Sequence, residues 1–497
     1  MHRDSRRRTR TIQWLSCSCL LVLVACALLF RPSPLTGQAR GAGQASGRDW
    51  TQDMAMKITE PFTISGVGDL IIMRPSSQFD DPAFQSAIKL IKDADVGFGN
   101  FETNVSDMIH FTGPMNGFMG DKGVPADVKK MGFTIVNRAN NHLFDSGQEG
   151  MYATNDLLDQ AGVVYAGSGR NLEDARAAHF LEIPKGRIGL VSMTTLGFNP
   201  PAYFAASYRY GNTGGRPGLN GVDLTRYQVV SPEQLEMLRK VRDAVYERRT
   251  EYSNPVPPLK DDPPGTLQLF GEWYKAGDKP GDYSYVMNPD DLREILRSIR
   301  NGKEYSDFMI LSMHTHDLHA ALTRQHFSEY PPDFLIDLAH KAIDTGADVF
   351  MGSGVHVLRG IEVYKGKPIF YGLGEFFRQM DWTVTSADHV ADGMTDAEAA
   401  QFWDQSGLQL PINYESVITQ SQFNHGQLQQ IRLYPIVGGQ EGPISRRGIP
   451  RLAQPDVARS ILERLQTLSK PFGTTISIQG SVGVIQVTQG ASTGNSR

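Results

Sequence analysis

Residues 308–317 read Phe-Met-Ile-Leu-Ser-Met-His-Thr-His-Asp, an apolar run that stops abruptly on two histidines and an aspartate. Phe308–Met313 is too short for a helix and has the composition of a buried strand, so His314, His316 and Asp317 fall at a strand end. There, two imidazoles spaced His-x-His can converge on one point. Working outward, the same arrangement recurs. Gly68-Asp69 closes Phe62–Val67, and Asn100-Phe101-Glu102 follows Val96–Gly99. Asn140-Asn141-His142, with Asp145 beyond, follows Phe133–Val136, and His356 comes five residues after Ala347–Met351. Amphipathic windows near 82–92, 147–160 and 332–345 separate these runs and predict helices. Alternation of buried strands with helices predicts an α/β fold whose polar strand ends form the site.

The chain has 497 residues, 40% hydrophobic and 21% charged, which is ordinary globular usage and excludes a largely disordered protein. Residues 1–40 contain seven Arg and one Asp, leaving 42 basic and 53 acidic residues in 41–497, a net charge of -11. So acidic a body is a poor match for nucleic acid. Cys17, Cys19 and Cys26 all lie in the leader, so the body has no disulfide framework, no zinc knuckle and no cysteine nucleophile. No G-x-G-x-x-G or Walker pattern is present, and Gly352-Ser353-Gly354 has the wrong spacing for a serine-hydrolase elbow.

Residues 1–30 have the order of an export signal: Arg3, Arg6, Arg7, Arg8 and Arg10 precede the apolar run from Ile12 to Phe30. Uncleaved, that run reaches roughly 28 Å and spans a bilayer. Leu23-Val24-Ala25-Cys26 also resembles a lipoprotein processing box. An uncleaved anchor and an acylated Cys26 stand side by side, with a soluble secreted form behind them; all three put the body outside the cytoplasm. Residues 31–53 read as a flexible tether.

Residues 54–380 are expected to form the main domain, interrupted by a loop-rich insertion at 199–288 that is either a lid or a surface excursion. Within it Ser231, Pro232 and Gln234 announce one helix through a capping box. Residues 381–497 are expected to be a loop-rich C-terminal extension, with loops over 380–450, then a helix over Pro455–Leu468 and strands over 474–488. Arg359, Lys365 and Lys367 read as a solvated hairpin face or a basic patch.

Singly, each strand-end cluster has a plain structural explanation, such as a turn, a helix cap or a buried histidine. Together, carboxylate, carboxamide and imidazole without thiolate suit a borderline divalent cation, Mn, Zn or Fe, which lowers the pKa of water or clamps a displacement at phosphorus.

At these positions the sequence resembles the capsule synthesis protein CapA family, associated with poly-γ-glutamate and part of the calcineurin-like metallophosphoesterase superfamily. Gly68-Asp69, Asn100-Phe101-Glu102, Asn140-Asn141-His142, His314 and the run Gly352–Phe376, GSGVHVLRGIEVYKGKPIFYGLGEF, carry the likeness over roughly residues 60–380. The resemblance implies a four-layer α/β/β/α sandwich with one or two metal ions between its sheets. It implies Asp69 as a metal ligand, Glu102 or Asn100 in the bridging position, Asn141 as an amide ligand, and His314 and His356 as imidazole ligands. His142 would be the catalytic acid or base. It also implies a cell-surface polymer or its precursor as partner, within a membrane polymer-synthesis complex. The chain departs from the family pattern where Ile71 replaces a histidine two residues after the first Asp, where Ser353 and Gly354 stand before His356, and where Gly372 and Glu375 replace Ser and Asn. His316 or Glu375 would compensate. Two functions follow: a metal-dependent, phosphoesterase-like hydrolase, or a non-catalytic assembly or polymer-binding subunit that keeps the fold.

Overall fold

β-Branched and aromatic runs bounded by Gly, Asp and Asn form the strands that frame the site. In chain order these are β1 (Phe62–Ile71), β2 (Val96–Phe101), β3 (Ile135–Asn137), β4 (Val164–Ala166), β5 (Gly186–Leu196) and β6 (Gly221–Val230). They continue with β7 (Thr266–Leu269), β8 (Glu272–Ala276), β9 (Phe308–His314), β10 (Val349–Ser353), β11 (Ile361–Tyr364) and β12 (Lys367–Phe370). Last come β13 (Glu375–Arg378), β14 (Glu415–Asn424), β15 (Gln427–Val437), β16 (Ser477–Gln479) and β17 (Val482–Gln486). The structure, a computed structural model, describes residues 54–114, 117–197, 200, 202–252, 262–320, 328–379, 395, 410–439 and 443–487. The leader and tether readings for residues 1–53 lie outside the described residues. Among those described, no helix is long and apolar enough to cross a membrane.

These strands belong to two ten-stranded sheets in a mixed α/β protein. The first runs β16-β17-β15-β14-β1-β2-β3-β4, with β13 also paired to β1; the second runs β7-β8-β6-β5-β9-β10-β12-β11. Pairing is parallel from β1 through β4 and among β5, β9 and β10, so these strands end at a common edge. Helices α1 (Pro82–Lys92), α2 (Val124–Lys130), α3 (Gly147–Ala161), α4 (Leu172–Arg176), α5 (Pro232–Tyr252), α6 (Pro289–Glu304), α7 (Asp333–Thr345) and α8 (Pro455–Ser469) connect or flank them. Asp81 caps α1 by accepting from the backbone N–H groups of Ala83 and Phe84.

Three apolar clusters hold the body together. In the first, Ile64, Phe98 and Ile135 of one sheet pack with Leu190, Ile310 and Met351 of the other. The second sets Leu70, Phe101 and Val136 against Phe84, Ile88, Val128 and Leu158 of α1, α2 and α3. The third sets Val191, Met309, Leu311 and Phe350 against Ile295, Ile299, Phe334 and Leu338 of α6 and α7. Both faces of the central strands are therefore apolar, and each such side chain contributes about 1.5–3 kcal/mol on burial.

Residues 410–439 correct the expected loop-rich stretch. They hold the long hairpin β14–β15, and β14 pairs antiparallel with β1 in the middle of the first sheet. Its polar residues face inward: Thr419 donates to Gly66 O at 3.0 Å and Gln420 to Leu90 O at 2.8 Å. Satisfied buried polar groups replace the apolar signal that a strand reading relies on. The 199–288 segment likewise adds β6, β7, β8 and Tyr283–Met287 to the second sheet. Its capping box is present, with Ser231 N–H donating to Gln234 Oε1 at 2.8 Å and Gln234 N–H to Ser231 Oγ at 3.2 Å. Arg359 does not lie on a surface patch. It is fully buried and donates to the carbonyls of Ser328 and Asp317 at 2.9 and 3.0 Å, while Lys365 and Lys367 pair with Asp344 and Asp348.

Candidate functional site

Two rows of polar residues lie across the strand ends. In the first sheet the register partners are Glu375, Asp69, Asn100 and Asn137; in the second they are Thr194, His314 and Ser353. Apolar strands thus present their chemistry only at the edge where the backbone turns away, as open α/β sheets do. Gly68 makes the first row possible: a Cβ there would stand 1.7 Å from the Gly374 carbonyl oxygen.

The rows meet in a buried cluster. Asn100 Nδ2 donates to Asp69 Oδ1 at 2.7 Å and lies 3.0 Å from His314 Nδ1. Asn100 Oδ1 is occupied by Asn137 Nδ2 at 2.8 Å, so Asn100 in this arrangement ties the cluster together with its amide nitrogen rather than offering an oxygen. His314 Nε2 faces Asn141 Oδ1 at 2.8 Å and His316 Nε2 at 3.2 Å. His356 adopts a left-handed backbone, φ 62°, unusual outside glycine, and its Nδ1 lies 2.7 Å from Glu375 Oε1 and 3.9 Å from Asp69 Oδ2. Gly354 N–H donates to Asp69 Oδ2 at 3.3 Å.

His142 lines the accessible side. Its Nδ1 lies 2.6 Å from Asp145 Oδ2, its Nε2 3.7 Å from Glu102 Oε1, and its ring stacks on Phe118 at 4.1 Å. The loop is held from beneath: the buried Arg138 donates to the carbonyls of Phe101 and Thr103 and to Asn104 Oδ1, and Asn104 Nδ2 donates to the His142 carbonyl.

Charge in the cluster is one-sided. Asp69, Glu102 and Glu375 are all buried. Burial pushes Asp69 up to about 6, with His356 opposing and Glu375 adding. Glu102 is driven well above the carboxylate range by burial and then by Asp69, Glu375 and Asp145. Burial would raise Glu375 too, but Arg378 and His356 outweigh it and hold its carboxyl below the ordinary value. His314 and His316 are pushed well below the imidazole range, first by burial and then by neighbouring histidines, and so are neutral, the form that ligates metals. Among the described residues, Glu102, His314 and His316 offer ligand atoms all within 4.8 Å of one another. Glu102 Oε1 is buried without a hydrogen-bond partner and lies 3.8 Å from His314 Nε2. An orphaned carboxylate oxygen beside neutral imidazoles fits a divalent cation.

Asp69, Asn100, Glu102, Asn141, His142, His314, His316 and His356 are thus all neighbours, and His316, outside the family pattern, is among the central donors. Glu375, expected with His316 to compensate for the missing imidazoles, is the register partner of Asp69 and pairs with His356. Phe118 carried no signal in the sequence, whereas Asn137, another amide at a strand end, had the same signature as Asn100. Ile71, where the family pattern has a histidine, is buried with Met73 and Phe118.

An α/β body with carboxylates and imidazoles gathered at one sheet edge is the class of protein that fold and site define. The family described as bacterial capsule synthesis protein PGA_cap matches residues 63–380, and this chain belongs to it. It is 41% identical over 461 residues to the uncharacterized protein y4sH of Sinorhizobium fredii, covering 88% of this chain and 96% of that one. It is 24% identical over 340 residues to the capsule biosynthesis protein CapA of Bacillus anthracis, covering 66% of this chain and 62% of that protein. With the PGA biosynthesis protein CapA of Bacillus subtilis it shares 24% identity over 353 residues, 68% of this chain and 69% of that protein.

Proposed function

We propose that this chain is an exported, membrane-tethered metal-dependent hydrolase of the CapA family, acting on a phosphoester or acyl bond in the synthesis or anchoring of a cell-surface polymer of the polyglutamate type. One or two divalent ions, Mn, Zn or Fe, would be held by Asp69, Glu102, Asn141, His314, His316 and His356. The observation that carries this reading is the partnerless Glu102 oxygen beside two neutral imidazoles. The relatives named for capsule and PGA biosynthesis support the polymer. Apolar clusters of helix on sheet, sheet on sheet and sheet on helix support a four-layer α/β/β/α arrangement. The apolar run Ile12–Phe30 behind five arginines supports export and the tether.

A bound ion would supply Lewis acidity towards the bond being broken. The chain supplies the rest. Asp145 holds His142 through Nδ1, which leaves Nε2 facing the cluster to give or take a proton, and Phe118 fixes the plane of the ring. Arg138 fixes the loops that carry Glu102 and His142. The test is metal analysis of the purified protein together with a phosphodiester assay in added Mn. A folded protein with neither metal nor activity would end this reading.

Ile71 favours a second reading, a non-catalytic assembly or polymer-binding subunit. Under it, His142→Ala leaves polymer production intact while loss of the whole protein stops it. Loss of production in His142→Ala at normal protein level would remove this alternative.

A further inference from the structure

Beyond the histidine–carboxylate cluster, a cavity of about 330 Å³ lies among Arg74, Ser76, Gln78, Phe79, Arg446 and Ile449. We propose that it is a separate binding site for carboxylate oxyanions, taking side chains of an acidic polypeptide. Two guanidinium-bearing residues, Arg74 and Arg446, line it. Arg446 sits over the Phe79 ring at 5.8 Å and, among the described residues, meets no carboxylate. Arg451 sits over the same ring at 5.3 Å and is fixed by Asp81 Oδ2 at 2.7 Å, so the aromatic wall holds one arginine that is charge-paired and one that is not. Arg74 donates to the carbonyl of Ser445, the residue preceding Arg446 in the chain. Guanidinium groups held on an aromatic face lose little freedom on meeting a carboxylate, and their planar fork matches its two oxygens.

The local sequence sharpens the contrast. Residues 446–451 read Arg-Arg-Gly-Ile-Pro-Arg, without an acid, in a body of net charge -11. The nearby Asp127 does not compete, because its carboxylate accepts from the Ser76 and Ser77 backbone N–H groups at 2.5 and 2.8 Å. The volume is at the lower end of small-ligand sites and admits one or two carboxylate side chains rather than a nucleotide. The cavity is also wired to the proposed centre. Gln379 accepts from Met73 N–H at 2.8 Å and donates to Ser76 Oγ at 3.1 Å, and Arg378, which pairs with Glu375, donates its N–H to Gly448 O at 2.8 Å. A chain seated here would lie beside the strand that carries Glu375.

The choice of a polypeptide rests on the polymer reading above; carboxylate binding itself does not. Calorimetry of the whole protein at low salt, with poly-glutamate, glutarate and inorganic phosphate as separate probes, tests both. Expected are saturable poly-glutamate binding, competition by glutarate, and affinity lower by about tenfold or more in Arg446→Glu. Arg446 is exposed, so the variant should fold, and an unchanged melting curve verifies that. His142→Ala should bind poly-glutamate normally. Unchanged binding in both Arg446→Glu and Arg74→Gln overturns the proposal. So does phosphate binding without glutarate binding, which makes the cavity a phosphate site. Loss in His142→Ala with retention in Arg446→Glu moves the polymer to the histidine cluster, overturning this site while leaving the proposed function standing.

Discussion

Asp69 and Glu375 are register partners on parallel strands, and His356 Nδ1 reaches both, at 3.9 and 2.7 Å. Their spacing depends on Gly68, where β1 and β13 come too close for any side chain. Gly68→Ala is therefore expected to lose about 3 kcal/mol or more of stability, an overpacking cost at its upper end, because a rigid carbonyl cannot yield. Chemical denaturation measures it; a loss below 1 kcal/mol would show that the two strands separate easily.

Glu102→Gln removes a buried carboxyl that burial and the neighbouring carboxylates disfavour in its ionised form. The metal-free variant is expected to be more stable than the parent by about 1–3 kcal/mol, and to bind less Mn. Unfolding curves in chelator, read beside metal content, test the pair of effects. A variant that is less stable in chelator would mean that Glu102 is held by protein groups alone.

Asp145→Asn leaves His142 in place and weakens the hold on its Nδ1 proton. If the protein hydrolyses a phosphodiester, the rate should fall by about 10²-fold or more with little change in metal content. Equal rates for variant and parent would remove the Asp145–His142 pair from the chemistry.

Asp348 lies buried between Lys303 and Lys367, at 2.6 and 3.0 Å. Burial alone would raise its pKa, but the two ammonium groups outweigh it and hold the carboxyl below its ordinary 3.8. The stability from this triad is thus complete above pH 3.8 and disappears as the pH falls through the lower folded value. Burial also pushes Lys303 down from its ordinary 10.5, so its share of stability rises with pH on the alkaline side. Asp348→Asn should cost about 3–5 kcal/mol at pH 7, because Lys303 is left charged and unpaired, and less near pH 10. Denaturation at the two pH values decides; an equal loss at both would assign the effect to packing.

Arg138→Met leaves the carbonyls of Phe101 and Thr103 and the Asn104 side chain without their donor. A loss of about 3 kcal/mol is expected, together with weaker Mn uptake, because Glu102 stands between those two carbonyls. Normal Mn affinity in a destabilised Arg138→Met would confine the arginine to a structural part.

The site was legible wherever an apolar run broke on a polar residue, as at Val67–Asp69 or Met313–His316, because burial on both strand faces leaves chemistry only at the ends. The three windows read as helices over 82–92, 147–160 and 332–345 have apolar faces, and α1, α3 and α7 occupy them. What the sequence hid were the exceptions to apolar burial. β14 buries Ser416, Thr419 and Ser421, so its pattern resembles a loop. Arg359 is buried although it is an arginine beside a lysine-bearing hairpin. The pairing of Glu375 with Asp69 joins residues far apart in the chain, and no local spacing announces it.

The position of β14 has a consequence for how the protein is made. It fills the edge of β1, a strand synthesised near the start of the body, and it is followed by β15 and β17 on the far side. During translation β1 keeps that flank open until residue 424 has emerged, although the stretch shared with the family ends at 380. The nascent chain therefore carries an unfinished sheet through most of its synthesis, and the last part to appear is what lets the first part settle.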